Sequence, residues 1–138
     1  MGRPDVRHVL LDTHAWAWSM TADARLSAAA TAAMEQAETV SISDISLFEI
    51  GQKVRLGKWP EMAPFLNRLV ALAGEQGGRL LELSPEASLL AATLEWPHRD
   101  PFDRIIAATA ITKGLPLISA DTVFDALTDD PNWPGRVW

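Results

Sequence analysis

Four acidic side chains stand where a short apolar run ends or where a helix begins. Asp12 closes His8-Val9-Leu10-Leu11, and Asp121 closes Pro116-Leu117-Ile118-Ser119-Ala120. Glu49 follows Val40-Ser41-Ile42-Ser43 by about a turn of helix, and Asp103 sits in the first turn of a helix opened by Asp100-Pro101. Open α/β sheets place their ligands at the carboxyl ends of the strands, so these positions point to one edge. Four carboxylates brought within ~4 Å would repel by ~1 to 4 kcal/mol per pair at a surface-like dielectric. A cluster of that kind either raises its pKa values or holds a cation. Oxygen ligands without cysteine or a histidine pair favour Mg²⁺ or Mn²⁺ over zinc. One or two such ions lower the pKa of a bound water, orient it for in-line attack on a phosphodiester and neutralise charge on the phosphoryl oxygens.

Each acid also has a local explanation. Asp12 suits the N-cap of a helix beginning near Thr13, and Asp100 suits the N-cap of the helix that Pro101 opens. Asp103, three residues after Asp100, falls where an acid answers a capping box, and Ser46-x-x-Glu49 matches the same box. Asp121 can cap a short helix from Thr122 to Leu127. Lys53, Arg55 and Lys58, with Gly57 as a C-cap, fit cations at a negative helix end better than a phosphate-guiding patch. His98, in the loop before Asp100, is open to a role as proton donor or phosphate contact, although a lone loop histidine is more often incidental. Capping accounts for the acids singly; it does not require them to converge.

The elements that must position these residues alternate along the chain. Residues 8–12 form an apolar run suited to a strand buried on both faces. An Ala-rich helix spans residues 22–38, with Ser27 as a possible cap, and residues 40–43 alternate as a second strand. Helical periodicity from Pro60 to Gln76 predicts one packing helix that stops at Gly77-Gly78. Arg79 to Leu83 reads as a third strand, and Ser84-Pro85-Glu86 starts a helix to about Glu95. A helix runs from Pro101 to Lys113, with Gly114 as its C-cap, and residues 116–120 form a fourth strand. Arg136-Val137-Trp138 adds an edge strand. Strands alternating with helices predict an α/β fold, a parallel sheet covered on both faces.

Composition bounds the remaining possibilities. The chain has 138 residues, 48% hydrophobic and 22% charged, which predicts one soluble domain over residues 1–138. There is no cysteine, so disulfides, thiolate metal sites and cysteine nucleophiles are excluded. The first apolar run is broken by Asp12 and His14, too early for a signal-peptide core, and no stretch approaches the ~20 residues of a membrane span. A cytoplasmic protein with no membrane partner is expected. The net charge of −6 argues against nucleic-acid binding by a broad basic surface, but not against a nuclease whose acids hold metal ions.

The ordered set Leu10-Leu11-Asp12-Thr13-His14-Ala15-Trp16, Ser46-x-x-Glu49, His98-Arg99-Asp100-Pro101-Phe102-Asp103-Arg104 and Ser119-Ala120-Asp121 resembles the PIN-domain ribonucleases, specifically VapC-type toxins of bacterial toxin–antitoxin pairs. The resemblance runs from about residue 8 to residue 124. It implies a three-layer α/β/α sandwich around a short, mainly parallel sheet, and a Mg²⁺- or Mn²⁺-dependent endoribonuclease. By position it implies Asp12, Glu49, Asp103 and Asp121 as catalytic and metal-binding acids. Asp100 is then an outer ligand or only a helix cap, Thr13 is placed to hold a water, and Arg104 to contact phosphate or pair with a site acid. An RNA substrate, a homodimer and a cognate antitoxin that masks the site are implied as well.

Three other classes share parts of this pattern. A receiver-like signalling domain has a similar length but shows paired acids after its first strand and a late lysine. A haloacid-dehalogenase-like phosphatase needs Asp-x-Asp where this chain has Asp12-Thr13-His14. A non-catalytic binding module on the same fold would keep the acids as helix caps.

Overall fold

Val9, Leu10 and Leu11 are all sealed from solvent, which a strand achieves only when both faces of its sheet are covered. A computed structural model, which describes residues 7–138, places them in β1 (His8–Leu11) at the centre of a five-stranded sheet. β2 (Thr39–Ser43) and β3 (Gly78–Leu81) extend one side; β4 (Leu117–Ile118) and β5 (Arg136–Val137) extend the other. All neighbours are parallel, in the order β3-β2-β1-β4-β5. The chain works outward from β1 to β3 and then restarts at β4 on the opposite side. That reversal puts the gap between the ends of β1 and β4 at the switch point where doubly wound sheets bind ligands.

Helices cover both faces, giving the expected three layers. On one face lie α1 (Thr13–Thr21), α2 (Ala28–Gln36), α3 (Ile45–Arg55) and α4 (Leu69–Glu75). Val9, Leu11, Ile42 and Ile118 meet Trp16, Ala30, Ile50 and Ala73 there. On the other face, α6 (Pro101–Lys113) lays Ile106, Ala107 and Ala110 against Leu10 and Leu117, with Phe124 and Leu127 beside them. The same alanine-rich helix turns Ala108 toward Ala87 and Ala91 of α5 (Pro85–Thr93). Small side chains let these two helices approach closely. Each large apolar side chain sealed in this way contributes about 1.5–3 kcal/mol.

Several predicted boundaries hold because their caps form. Ser27, Ser84 and Asp100 accept backbone N–H bonds at the starts of α2, α5 and α6, and Gly114 closes α6 at φ +67°. Three expectations are corrected. The helix expected over residues 22–38 is the shorter α2, which starts only after the Ser27 cap and ends at Gln36. Residues 60–76 are not one helix: Pro60–Arg68 is a 3₁₀ segment and only Leu69–Glu75 is α-helical. Pro64, inside the segment, has no N–H to give an α-helical ladder. The third strand covers Gly78–Leu81 rather than residues 79–83. A Cβ at Gly78 would lie 3.0 Å from both the Ala73 carbonyl oxygen and Ile42 Cδ1, so the strand starts at a close approach that favours glycine. Beyond Leu81 the chain leaves the sheet, and the Leu83 N–H turns to Asp44 Oδ2 at 3.4 Å.

Candidate active site

Asp12 follows directly on β1 and serves two roles at once. Its Oδ1 accepts the Ala15 N–H at 2.7 Å, capping α1, while the carboxylate faces a pocket of about 330 Å³ at the carboxyl edge of the sheet. Glu49 from α3, Asp103 and Asp100 from the start of α6, and Asp121 after β4 line the same pocket, together with Thr13 and Lys53. Asp12 and Glu49 are almost sealed from solvent, whereas Asp121 is exposed and caps the 3₁₀ turn Thr122–Leu127 through the Val123 N–H. The four acids expected to converge therefore share one cavity.

The capping-box readings of Glu49 and Asp103 fail on geometry. α3 begins at Ile45 after Asp44, which makes no side-chain cap bond, and Ser46 instead meets the Thr13 hydroxyl at 2.9 Å. This buried pair ties the start of α1 to the start of α3 beside the pocket. Glu49 is then free of any capping duty, and its Oε2 accepts a 2.6 Å bond from Lys53 Nζ one turn later. Lys53 stands in the last turn of α3, as expected of a cation at that helix end, and lines the pocket as well. At the head of α6, Asp100 Oδ1 takes the Phe102 and Asp103 N–H groups, leaving the Asp103 carboxylate to reach His98 Nε2 at 2.7 Å. His98 is likewise engaged, its ring tilted at 46° against Trp96 and bonded to a site acid.

Arg104 does not reach the pocket acids. Its guanidinium donates to the carbonyls of Ala91 (2.7 Å), Leu94 (2.6 Å), Trp96 (2.6 Å) and His98 (2.9 Å). Nearly all its donors are spent on holding the loop before α6. The expectation that it contacts phosphate or pairs with a site acid is corrected accordingly.

Burial and like charge shape the protonation of the site. Burial pushes Asp12 up to about 6; bonds from Ser119 and Ala15 oppose this, and the charges of Asp103 and Glu49 add to it. Asp103 is also pushed up to about 6, first by burial, with the His98 bond opposing and Asp100 and Glu49 adding. His14, on the pocket wall, is pushed below the ordinary imidazole value by burial and then by the Lys53 charge, although part of its ring meets solvent. Burial is the first cause at both carboxyls, and the like charges around them add to it.

Comparison with known proteins fits this geometry. Residues 9–129 match the PIN domain family. Ribonuclease VapC22 of Mycobacterium tuberculosis (strain ATCC 25618 / H37Rv) is 35% identical over 115 residues, spanning 82% of this chain and 86% of that protein. The chain belongs to the PIN-domain family, in its VapC branch. Its fold is similar to that of VapBC2 from Rickettsia felis bound to a DNA fragment from their promoter, with a TM-score of 0.65 at 16% identity, over 95% of this chain and 99% of that one. It is also similar to VapBC-5 from Mycobacterium tuberculosis, of the VapBC family of toxin-antitoxin systems, with a TM-score of 0.60 at 22% identity over 91% and 94%.

The PIN pocket offers a cation a hard donor set: five carboxylates on four separate elements, without a sulfur ligand. Among the described residues, a group of three with ligand atoms within 4.8 Å of one another is His98, Asp100 and Asp103. Asp12, Glu49 and Asp121 face the same cavity from further away. Glu49 is drawn to Lys53 at 2.6 Å. Such a set suits Mg²⁺ or Mn²⁺, which take oxygen ligands and keep several waters of their own. Sequence reasoning missed Lys53 and His98 as neighbours of the acids. Lys53 carried a usable signal, one helical turn after Glu49; His98 was open to a functional role, but nothing in a loop sequence aimed it at Asp103.

Proposed function

We propose that this PIN domain is a divalent-cation-dependent endoribonuclease, the toxin of a toxin–antitoxin pair, that hydrolyses RNA phosphodiester bonds at the Asp12 pocket in the cytoplasm. The observation that carries this reading is the meeting of Asp12, Glu49, Asp103 and Asp121 at the switch point of a parallel sheet, where burial pushes two of them up to about 6. Asp12, Glu49, Asp103 and Asp121 hold Mg²⁺ or Mn²⁺, and Asp100 adds an outer ligand while capping α6. A bound divalent cation supplies the acidification of the attacking water and the neutralisation of phosphoryl charge. The chain's own residues supply the rest. Asp12 is fixed by its place at the N-terminus of α1 and by the Ala15 bond, so it needs no reorganisation to act. The Thr13–Ser46 hydroxyl pair is placed to orient water beside Asp12. Lys53, freed from Glu49, has the reach and charge to meet a phosphate oxygen.

The relatives support the partners proposed with this activity: the VapBC structures are of toxin-antitoxin systems, and the proposal includes a cognate antitoxin that masks the pocket. Phe48 and Val70 are 60% and 64% exposed, apolar surface suited to that antitoxin or to a second copy in a homodimer. Cleavage of RNA by purified protein tests the reading. It is expected with Mg²⁺ or Mn²⁺, absent in excess chelator, and lost by at least about 100-fold in Asp12→Asn at unchanged secondary structure. Undiminished cleavage by that variant, or in chelator, overturns it; a non-catalytic binding module would cleave under none of these conditions.

A further inference from the structure

A second cavity, of about 310 Å³, shares a wall with the acidic pocket through His14, Trp18 and Lys53. Its chemistry is opposite. Its other lining includes Arg25, Lys58 and Trp59, with Glu61 as the one acid. In a chain of net charge −6, cations and aromatic faces are here interleaved: Arg25 lies 4.8 Å over the Trp18 ring and Lys53 5.6 Å over the Trp59 ring. His14 stacks on Trp59 at 4.6 Å and 24°, and meets Trp18 edge-on at 5.8 Å. Arg25 is partly neutralised by Asp23, and Lys53 by Glu49. Lys58 is exposed and, among the described residues, makes no side-chain bond or ion pair.

We infer that this basic, aromatic cavity holds the nucleotide adjoining the bond that is cut, in a single-stranded RNA. Its base lies against the His14–Trp59 stack and its phosphate against Lys58 and Lys53. The inference rests on the ribonuclease reading and adds to it where the strand runs. An acidic pocket alone repels a polyanion, so a substrate needs cations beside it: Lys58 stands without a carboxylate partner among the described residues, and Lys53 exchanges Glu49 for the phosphate when the strand binds. Planar stacked rings with cations between them are what single-stranded nucleic acid uses: bases stack on aromatic faces irrespective of sequence, and phosphates meet lysine and arginine. A protein partner would gain little from a small cavity walled by three cations. Lys53, common to both cavities, is the residue that passes the backbone from one to the other.

The test is fluorescence anisotropy with a fluorescein-labelled, mixed-sequence single-stranded RNA of about 12 nucleotides, in excess chelator so that nothing is cut. Trp59→Ala is expected to weaken binding about 10-fold, and Trp59→Phe, which keeps an aromatic face, by less than about 3-fold. Lys58→Ala, on an exposed side chain that bonds to nothing, is expected to reduce the slope of log affinity against log salt by about 0.7, whereas Trp59→Ala leaves that slope unchanged. RNA binding by Trp59→Ala and Lys58→Ala equal to wild type overturns the inference. So does a loss confined to binding of a protein partner. The two readings separate cleanly: Asp12→Asn that still cleaves sinks the catalytic centre and leaves this subsite standing, while wild-type RNA binding by the cavity variants does the reverse.

Discussion

Asp12 carries the tension of the whole site in one carboxyl group. It caps α1 and is 7% exposed, yet its neighbours are Asp103 and Glu49, so burial and repulsion push it from an ordinary 3.8 up to about 6. The sign of the consequence follows from proton binding. Between about pH 4 and pH 6 the folded chain holds a proton at Asp12 that the unfolded chain releases, so in chelator this group stabilises the fold below that window and loses the contribution as pH rises through it. The shift corresponds to about 3 kcal/mol at most. Asp103 acts in the same direction and, being more open beside His98, more weakly. Asp12→Asn keeps a side-chain oxygen for the Ala15 N–H and removes the charge. Urea unfolding in chelator is expected to show wild type losing stability from pH 4 to pH 7 and Asp12→Asn losing distinctly less. Parallel profiles for the two proteins would remove the electrostatic account of the pocket.

At the scale of elements, α6 is the piece the site is built on, and its first turn illustrates what spacing alone conveys. Asp100, Pro101 and Gly114 mark the ends of this helix in the sequence, and all three do so in the fold. The roles of Asp103 and Arg104 were less legible. Consecutive residues on a helix point about 100° apart, so Asp103 faces the pocket while Arg104 faces away, toward α5 and the loop from Leu94 to His98. The resemblance implied a place for Arg104 at the site, whereas its guanidinium is directed to carbonyls on the opposite side of the helix start. Arg104 instead satisfies four carbonyls and fixes the loop that delivers His98 to Asp103. Arg104→Ala is expected to cost about 3–5 kcal/mol in denaturant unfolding, because charged donors to several partly buried carbonyls disappear together. Arg104→Lys is expected to recover only part of it, since one ammonium cannot reproduce the planar fork. A loss below about 1 kcal/mol in Arg104→Ala would contradict the clamp.

For the molecule as a whole, convergence is the property that spacing could suggest but not establish. Apolar runs and caps delimited most strands and helices, whereas the meeting of Asp12 with Asp121 depends on β4 pairing beside β1 rather than outside β3. That choice is made by burial: Leu10 and Leu117 are both sealed beneath α6, and no local pattern encodes it. The fold thereby gathers five carboxylates and one lysine at one edge of a chain whose net charge is −6. A cation that binds the folded edge and not the unfolded chain must raise stability by mass action, by about 2.7 kcal/mol at 100 times its Kd. For a domain of this size that is a rise in Tm of about 8 °C. Differential scanning calorimetry at pH 7.5 is expected to show this rise with Mg²⁺ or Mn²⁺, little of it with NaCl at equal ionic strength, and none in Asp12→Asn/Asp103→Asn. General screening would make the two salts equivalent, and a site elsewhere would leave the double variant responsive. Only direct ligation at this edge predicts both the excess over NaCl and its loss.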